Sequence, residues 1–213
     1  MTRFAILLGG DLTVTPRLRG QIRGARVIAA DSGMMHAASL RLVPELWVGD
    51  FDSAGSELSI QYREVPRETF PAEKDATDGA IAVSEAIRRG ATEIVLLGGL
   101  GGQTDHTMGV LGQSFDIARQ GLTCLLTSGT EEAWPLVPGQ MSVELPPGTR
   151  LSIIPYADLE GLDLDGVKWP LANRSVPLGS TLTLSNVAQG PVRIALRSGH
   201  GIAVAYPPVD RDD

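Results

Sequence analysis

The chain has 213 residues, 43% hydrophobic and 20% charged, which suits one large or two modest folded domains and excludes a disordered chain. Its formal net charge is −7 and its basic residues are scattered, so we expect no binding to the backbone of a nucleic acid. The chain has a single cysteine, no apolar run long enough to span a bilayer and no signal-peptide pattern, so we expect a cytoplasmic protein without a membrane partner.

The first part of the chain alternates short apolar runs with helical patterns. The apolar runs, which are typical of parallel strands covered on both faces, are residues 4–8, 26–30, 45–49, 93–97 and 122–126. Between the later runs lie two helical patterns: residues 77–90, with Ala80, Val83, Ser84 and Ile87 on one face, and residues 105–121, with Met108, Leu111, Phe115 and Ala118 on one face. This alternation predicts an α/β domain over residues 1–130, with a doubly wound, mostly parallel sheet.

The pattern changes after residue 130. EEAWPLVPGQ (131–140) is rich in Pro and Gly and predicts a linker. Residues 141–213 contain short strand patterns separated by turn signals, which predicts an all-β sandwich or barrel domain. The clearest alternation is in STLTLSN (180–186), which predicts a strand with Leu182 and Leu184 on one face.

Acidic residues and glycines follow the predicted parallel strands where those strands end. They are Asp11, Asp31, Asp50, Asp52 and the loop GGLGGQTDH (98–106) with Asp105, while Asp75 and Asp78 of KDATD (74–78) open the helix before the run 93–97. Ligands of open parallel sheets bind beyond the carboxyl ends of the strands, so we expect these residues to share one edge.

Such an edge has the chemistry of a metal–nucleotide site. Crowded carboxylates repel each other and favour a hard cation, of which Mg²⁺ is typically bound by carboxylates together with substrate phosphates. The glycines at 98, 99, 101 and 102 allow backbone N–H groups to approach an anion, and the following helix adds its positive end. The loop matches neither the dinucleotide fingerprint nor the P-loop.

Structural roles are equally open for several of these aspartates. Asp75 and Asp105 are good N-cap residues, and Asp78 stands three residues after Asp75, as in a capping box. Asp11 and Asp31 are also typical turn formers. The site prediction therefore depends on the convergence of these residues on one edge.

Four segments in order resemble the thiamine pyrophosphokinase family: GDFDS (49–53), KDATD (74–78), GGLGGQTDH (98–106) and GVKWPL…LGSTLTLSN (166–186). The likeness covers nearly the whole chain, and DSGMMHAASL (31–40) is similar to the Asp-Gly-Gly segment of that family. The resemblance implies Mg²⁺-dependent transfer of a diphosphoryl group from ATP to the hydroxyethyl oxygen of thiamine, giving thiamine diphosphate and AMP. It also implies a homodimer, with thiamine bound where the β domain of one subunit meets the α/β domain of the other.

The resemblance also implies roles for individual residues. Asp50, Asp52, Asp75 and Asp78 would hold Mg²⁺, and these four carboxylates and Asp105 form the catalytic set, from which Asp78 or Asp105 would accept the hydroxyl proton. Contacts to ATP or thiamine are implied for Asp31, Lys74, Gly99, Gly101, Gly102, Gln103, Trp169, Ser185 and Asn186. Trp169 or Trp134 would stack on the thiazolium, with core packing as the alternative for Trp169 and a turn as the alternative for Ser185 and Asn186.

The chain departs from the family pattern at a few positions. Gln103 stands where many members have Arg, which removes a charge and the forked geometry of the guanidinium. Ser32 and Met35 also differ from the Asp-Gly-Gly segment. The open alternatives are a diphosphokinase for another alcohol, such as a hydroxymethylpterin, and a non-catalytic nucleotide or thiamine sensor.

Overall fold

A computed structural model describes residues 1–51, 56–70 and 76–209 of the chain. It divides into two compact units, Met1–Gln113 with Gly121–Gly129 and Ser114–Gln120 with Thr130–Asp213. Three predicted site residues, Asp52, Lys74 and Asp75, lie outside the described residues. None of the helices within the described ranges is long and apolar enough to cross a membrane.

The first unit is built on a parallel sheet. Its strands are β1 (Arg3–Leu7), β2 (Arg26–Ala30), β3 (Leu46–Gly49), β4 (Arg67–Thr69), β5 (Glu93–Leu97) and β6 (Thr123–Thr127). Their order across the sheet is β6-β5-β1-β2-β3-β4, and these neighbours pair in parallel. β1, β2, β3 and β5 are almost entirely buried, as expected of apolar strands in a parallel sheet. The predicted mostly parallel sheet is confirmed.

Helices connect these strands. They are α1 (Pro16–Gln21), a 3₁₀ helix (Asp31–Met35), α2 (His36–Leu40), α3 (Ser56–Gln61), α4 (Asp78–Arg88) and α5 (Thr104–Arg119). α4 buries Ala82, Val83 and Ala86. The predicted apolar face is therefore correct at Val83, whereas Ala80, Ser84 and Ile87 are not fully buried. On α5 Phe115 is buried, but Met108 is 58% exposed and does not belong to a buried stripe.

The second unit is rich in antiparallel strands. They are β7 (Glu132–Leu136), β8 (Gly139–Val143), β9 (Arg150–Pro155), β10 (Leu159–Val167), β11 (Leu171–Val176), β12 (Asn186–Leu196) and β13 (Gly201–Tyr206). β12 pairs with β8 and β10 over most of its length, and its first residues, Asn186 and Val187, pair with β9. β9 also pairs with β13, which pairs with β7. The predicted β-rich second region is thereby confirmed.

Residues 131–140, predicted to be a linker, instead contain β7 and the start of β8. All residues of β7 are buried, and Pro135 lies opposite Ile202 in the pairing with β13. The apolar side chains Ala133, Trp134 and Leu136 drive this strand into the core, and their burial outweighs the Pro and Gly signals around them.

The strand predicted at STLTLSN is wrong up to Ser185, because residues 177–185 form turns. Leu182 and Leu184 are 55% and 44% exposed, while Thr183 is buried. Thr183 is the anchor of this segment: its hydroxyl donates to the Ile153 carbonyl at 2.6 Å, and its own carbonyl accepts from the Ile153 amide. Ser185 has a φ of 60°, which ends any extended conformation.

Candidate active site

A cleft of about 1040 Å³ lies at the carboxyl edge of the parallel sheet in the first unit. Its lining comes from residues 8–10 after β1, 30–31 after β2, 50 after β3, 76–80 at the start of α4, 98–103 after β5 and 105–113 of α5. Among the predicted site residues it includes Asp31, Asp50, Asp78, Gly99, Gly101, Gly102, Gln103 and Asp105. The fold therefore brings strand ends and helix starts into one concave surface.

The carboxylates share this cleft without converging on one point. Among residues 1–51, 56–70 and 76–209, no group of three or more His, Cys, Asp and Glu side chains is arranged to hold a metal ion. Asp11 is not part of the lining; its side chain instead lies beside Gly101, where an added Cβ would be 3.3 Å from the Asp11 Cβ.

Two glycine turns pack backbone against backbone at the floor of the cleft. The Gly10 amide donates to the Gly98 carbonyl at 3.1 Å, and the Leu8 amide donates to the Leu97 carbonyl at 2.8 Å. A Cβ at Gly10 would collide with the Gly98 carbonyl, and one at Gly98 would meet the Leu8 and Gly10 carbonyls. Gly98 also has a φ of 72°, so both steric space and backbone conformation require glycine there.

Two helices begin at the cleft, and neither uses the N-cap that the sequence predicted. Thr77 caps α4, its hydroxyl accepting from the Ala80 amide at 3.2 Å, so the predicted capping box of Asp75 and Asp78 is wrong. Asp78 is the first residue of α4. α5 begins at Thr104, which places Asp105 in its first turn, where its carboxylate accepts from the His106 amide at 2.9 Å. Both carboxylates therefore lie in the positive field of a helix start.

Trp47 links two acidic turns of the cleft, a role that the sequence did not reveal. This side chain is fully buried, and its indole N–H donates to the Asp31 carbonyl at 2.9 Å. Its ring meets the Phe51 ring edge-on with centroids 5.0 Å apart. Asp31 and Phe51 have φ values of 44° and 63°, a conformation that costs roughly 1–2 kcal/mol for a residue with a side chain. The indole hydrogen bond supports the Asp31 turn in that conformation, and the ring contact supports the Phe51 turn.

His36 is a second residue whose role could not be read from the sequence. It is 7% exposed, and its Nε2 donates to the Gly10 carbonyl at 2.9 Å. This contact joins residues 26 positions apart, so neither spacing nor composition could have indicated it. His36 therefore fixes one of the two glycine turns.

The residues of the second unit that were predicted to contact thiamine differ in their exposure and in their contacts. Trp169 is 54% exposed, with the Lys168 Nζ 4.6 Å from its ring centroid, whereas Trp134 is buried. The Asn186 side chain holds the Trp169 backbone: its Oδ1 accepts from the Trp169 amide at 3.1 Å and its Nδ2 donates to the Trp169 carbonyl at 2.8 Å. The Ser185 amide donates to the Ser152 hydroxyl at 3.0 Å. Trp169 thus presents an exposed indole on an anchored backbone.

The cysteine Cys124 has no chemistry at this site. It lies in β6 and is buried, and burial raises the pKa of its thiol to about 12. At neutral pH it is therefore protonated and a poor nucleophile.

Two family models match the chain. One, described as the catalytic domain of thiamin pyrophosphokinase, matches residues 23–126, and the other, described as the vitamin B1 binding domain of thiamin pyrophosphokinase, matches residues 140–200. A curated thiamine pyrophosphokinase of Bacillus subtilis (strain 168) is 29% identical over 191 residues, which cover 87% of this chain and 89% of that protein.

Solved structures show the same likeness. The crystal structure of thiamine pyrophosphokinase from Bacillus subtilis matches with a TM-score of 0.86 and 25% identity, over 98% of this chain and 100% of that one. A thiamin pyrophosphokinase family protein from Enterococcus faecalis matches with a TM-score of 0.81 and 25% identity, again over 98% and 100%. The thiamin pyrophosphokinase from Candida albicans, 13% identical with a TM-score of 0.81 over 97% and 89% of the two chains, shares the fold.

Proposed function

The chain belongs to the thiamin pyrophosphokinase family, and we propose that its cleft binds ATP for diphosphoryl transfer to thiamine. The thiamine hydroxyl oxygen forms a bond to the β-phosphorus of ATP, the bond from that phosphorus to the oxygen bridging to the α-phosphate breaks, and the hydroxyl proton is released. The products are thiamine diphosphate and AMP. The observation that carries the proposal is that acidic turns, a glycine loop and two helix starts line one cleft.

The glycine loop and the start of α5 would bind the phosphates. Gly99, Gly101 and Gly102 have no side chain to keep an anion away from the backbone, and the positive end of α5 follows directly. Gln103, in the same lining, would add a hydrogen bond without a charge. Phosphoryl transfer depends mainly on such positioning and charge neutralisation.

The donor chemistry of the cleft fits a Mg²⁺ ion that is held by one or two carboxylates together with substrate phosphates, although no three described acidic side chains converge. The side chains of Asp31, Asp50, Asp78 and Asp105 supply carboxylate oxygens, which a hard cation prefers. Asp50 and Asp78 would hold the ion, together with Asp52 and Asp75, which lie outside the described residues. When bound, the ion would neutralise charge on the triphosphate. Lys74, also outside the described residues, would face the same phosphates.

A carboxylate in the first turn of a helix would accept the hydroxyl proton. Asp78 in α4 and Asp105 in α5 both line the cleft and are the candidates for this base. Loss of the base lowers kcat at saturating substrates, whereas loss of a metal ligand also raises the Mg²⁺ concentration needed for half-maximal rate. The Asp78→Asn and Asp105→Asn variants therefore distinguish the two roles.

Trp169 would stack on the cationic thiazolium of thiamine. Its exposed indole supports this assignment, because a cation binds best over the face of Trp. Ser185 would hydrogen-bond the aminopyrimidine, while Asn186 would act mainly by holding the Trp169 backbone.

We also propose a cytoplasmic homodimer. A buried lone cysteine supports a reducing compartment, and the exposed side chains of Trp169, Leu178, Leu182 and Leu184 support a protein interface.

The direct test measures AMP formation from ATP with thiamine, with a hydroxymethylpterin or with no acceptor. We expect AMP with thiamine only. AMP formation with the pterin only would show that the acceptor is the pterin and not thiamine. Thiamine binding without AMP formation would indicate a sensor.

Replacing Asp50 tests the site within this assay. We expect Asp50→Asn to lower turnover by about 100-fold, since even outer-shell partners of a metal are typically worth 10–100-fold, and to leave the thermal unfolding midpoint close to that of the unsubstituted chain. Asp116→Asn is the matched control, because Asp116 lies on α5 outside the cleft lining and pairs with Arg119. Equal turnover in the two variants would remove Asp50 from the active site.

A further inference from the structure

An arginine outside the cleft lining contacts both aromatic rings beneath the acidic turns. Arg67 begins β4 and lies opposite Trp47 in the pairing of β3 with β4. Its guanidinium carbon is 4.6 Å from the Trp47 ring centroid and 5.3 Å from the Phe51 ring centroid. Its Nη2 also donates to the Ser59 carbonyl at 2.8 Å, which restrains the position of the group.

The two rings act on the acidic turns in different ways, since Trp47 lies in β3 and reaches the Asp31 turn through a hydrogen bond, whereas Phe51 is part of the Asp50 turn. Trp47 donates its indole N–H to the Asp31 carbonyl, and Phe51 directly follows Asp50 along the chain. Phe51 has a positive φ, so its turn relies on contacts of the ring to stay in place. Arg67 contacts both rings at once, and it therefore supports the link that Trp47 makes between the Asp31 turn and the Phe51 ring.

We propose that Arg67 is a positioning residue for the cleft carboxylates: by contacting both Trp47 and Phe51 it sets the spacing of the Asp31 and Asp50 turns for the cation–nucleotide complex. The inference rests on the proposed function of the same cleft. Arg67 is not among the described residues that line the cleft, and its Nη2 donates to a backbone carbonyl, so we expect it to act through the rings and not on the substrate.

The chemistry requires arginine and not merely a positive charge. The Trp47 and Phe51 rings are nearly perpendicular, at 87°. A planar guanidinium can lie over the face of one ring, contact the other with its edge and still donate in its own plane, whereas the compact ammonium of lysine offers no such plane. The alternative is that Arg67 only stabilises the edge strand β4. That role predicts a lower unfolding midpoint for the variants, with an unchanged cation requirement.

The test uses Arg67→Lys, Arg67→Gln and Phe51→Leu in the full chain. The first readout is the dissociation constant of Mn²⁺ in the presence of a non-hydrolysable ATP analogue, measured by electron paramagnetic resonance. The second is the Mg²⁺ concentration for half-maximal AMP formation, with KM for thiamine measured alongside. We expect both cation constants to rise by about tenfold or more, the typical effect of losing a residue that orients metal ligands, and the KM for thiamine to stay unchanged.

Arg26→Lys is the matched control. Arg26 also stacks on an aromatic ring, with its guanidinium carbon 4.5 Å from the Phe4 centroid, but it begins β2 at the opposite end of the strand from Asp31. We expect this variant to lose stability while its cation constants stay at those of the unsubstituted chain.

The outcomes separate the two proposals. If the unsubstituted chain forms no AMP, the proposed function fails, and Mn²⁺ binding still decides the role of Arg67. If AMP forms and the Arg67 variants keep both cation constants, the inference is overturned alone; a chain that binds no Mn²⁺ with the nucleotide analogue overturns both. Should Arg67→Gln fail to fold, Arg67→Lys and Phe51→Leu carry the same comparison.

Discussion

At the scale of single residues, the cleft depends on close backbone contacts as much as on its carboxylates. The Gly10 amide donates to the Gly98 carbonyl, and the Gly10 carbonyl accepts from His36. Side chains at either glycine would push the two turns apart, since the atoms they would meet are backbone carbonyls that cannot rotate away. The phosphate-binding geometry that we propose therefore requires glycine at both positions, because any side chain would separate the two turns.

Gly98→Ala tests this arrangement. We expect the variant to lose more free energy of unfolding than the roughly 1–2 kcal/mol of an ordinary residue in the left-handed region, because backbone collision adds to it, and to bind ATP more weakly. Gly90→Ala is the matched control: its φ of 84° carries similar strain, but nothing lies within 4 Å of the added Cβ. Urea unfolding and ATP titration check both variants, and equal losses in the two would contradict the role of packing.

Gln103→Arg tests the departure from the family pattern. Gln103 lines the cleft, so a guanidinium there would add a charged, forked donor for phosphate oxygens. We expect a lower KM for ATP at unchanged KM for thiamine. Gln120→Arg adds the same charge beyond the end of α5 and serves as the control. If both substitutions change the KM for ATP alike, the effect is one of net charge only.

At the scale of elements, apolar strands were predictable and polar or turn-like segments were not. β1, β2 and β5 follow apolar runs that are typical of strands buried on both faces, and the Asp and Gly residues that follow these strands indicated the edge where the cleft lies. β4 has no apolar residue and is a strand because it pairs with β3, a contact that local sequence does not encode. The same limit explains residues 177–185, where the hydrogen bonds of Thr183 with Ile153 decide the conformation.

The lining of the cleft was predictable to a similar extent. Asp31, Asp50, Asp78 and Asp105 line one cleft because each of them stands at a strand end or a helix start on the same edge of the sheet. The supporting contacts of Trp47, His36 and Arg67 join positions far apart in sequence, so no spacing rule could indicate them.

Asn186→Ala tests the link between β12 and the exposed indole. Removing the side chain leaves the Trp169 amide and carbonyl without these partners, and we expect a loss of about 1–3 kcal/mol in the free energy of unfolding. The KM for thiamine should rise while the KM for ATP is unchanged. Ser180→Ala, which removes the hydroxyl that accepts from the Leu182 amide, is a control within the neighbouring turn. An unchanged KM for thiamine in Asn186→Ala would contradict the role of Trp169.

At the scale of the whole molecule, an ion-pair network joins β2, the segment before β3 and the end of α4 in the first unit, away from the cleft. Glu45 accepts from Arg26 at 2.6 and 2.8 Å and from Arg89 at 3.0 Å, and Arg89 also pairs with Glu85 at 3.3 Å. Hydrogen bonding and charge from Arg26, with Arg89 adding to them, hold the pKa of Glu45 below its ordinary value. Hydrogen bonds from Arg88 and then Arg89 lower the pKa of Glu85 in the same way.

This network predicts a dependence of stability on acid. A lowered carboxyl pKa contributes stability above the ordinary value of 4.5, and that contribution is lost as the pH falls toward the lowered value. We expect the difference in free energy of unfolding between the unsubstituted chain and Glu45→Gln to shrink from about pH 5 to about pH 3 in urea titrations. Glu64→Gln, in an exposed pair with Arg63, is the control. A difference that stays constant with pH would show that Glu45 acts by packing alone.

Because the thiol of Cys124 is buried and unreactive, spectroscopic labels can be attached to cysteines introduced elsewhere in the chain. With a pKa of about 12 and no other cysteine in the sequence, it stays silent toward maleimides near pH 7. A cysteine placed at one exposed position in each unit, such as Arg63 and Arg197, would accept a fluorophore or spin label without prior removal of native thiols. Distances between two such labels would then follow the units through a catalytic cycle as ATP, thiamine and products come and go.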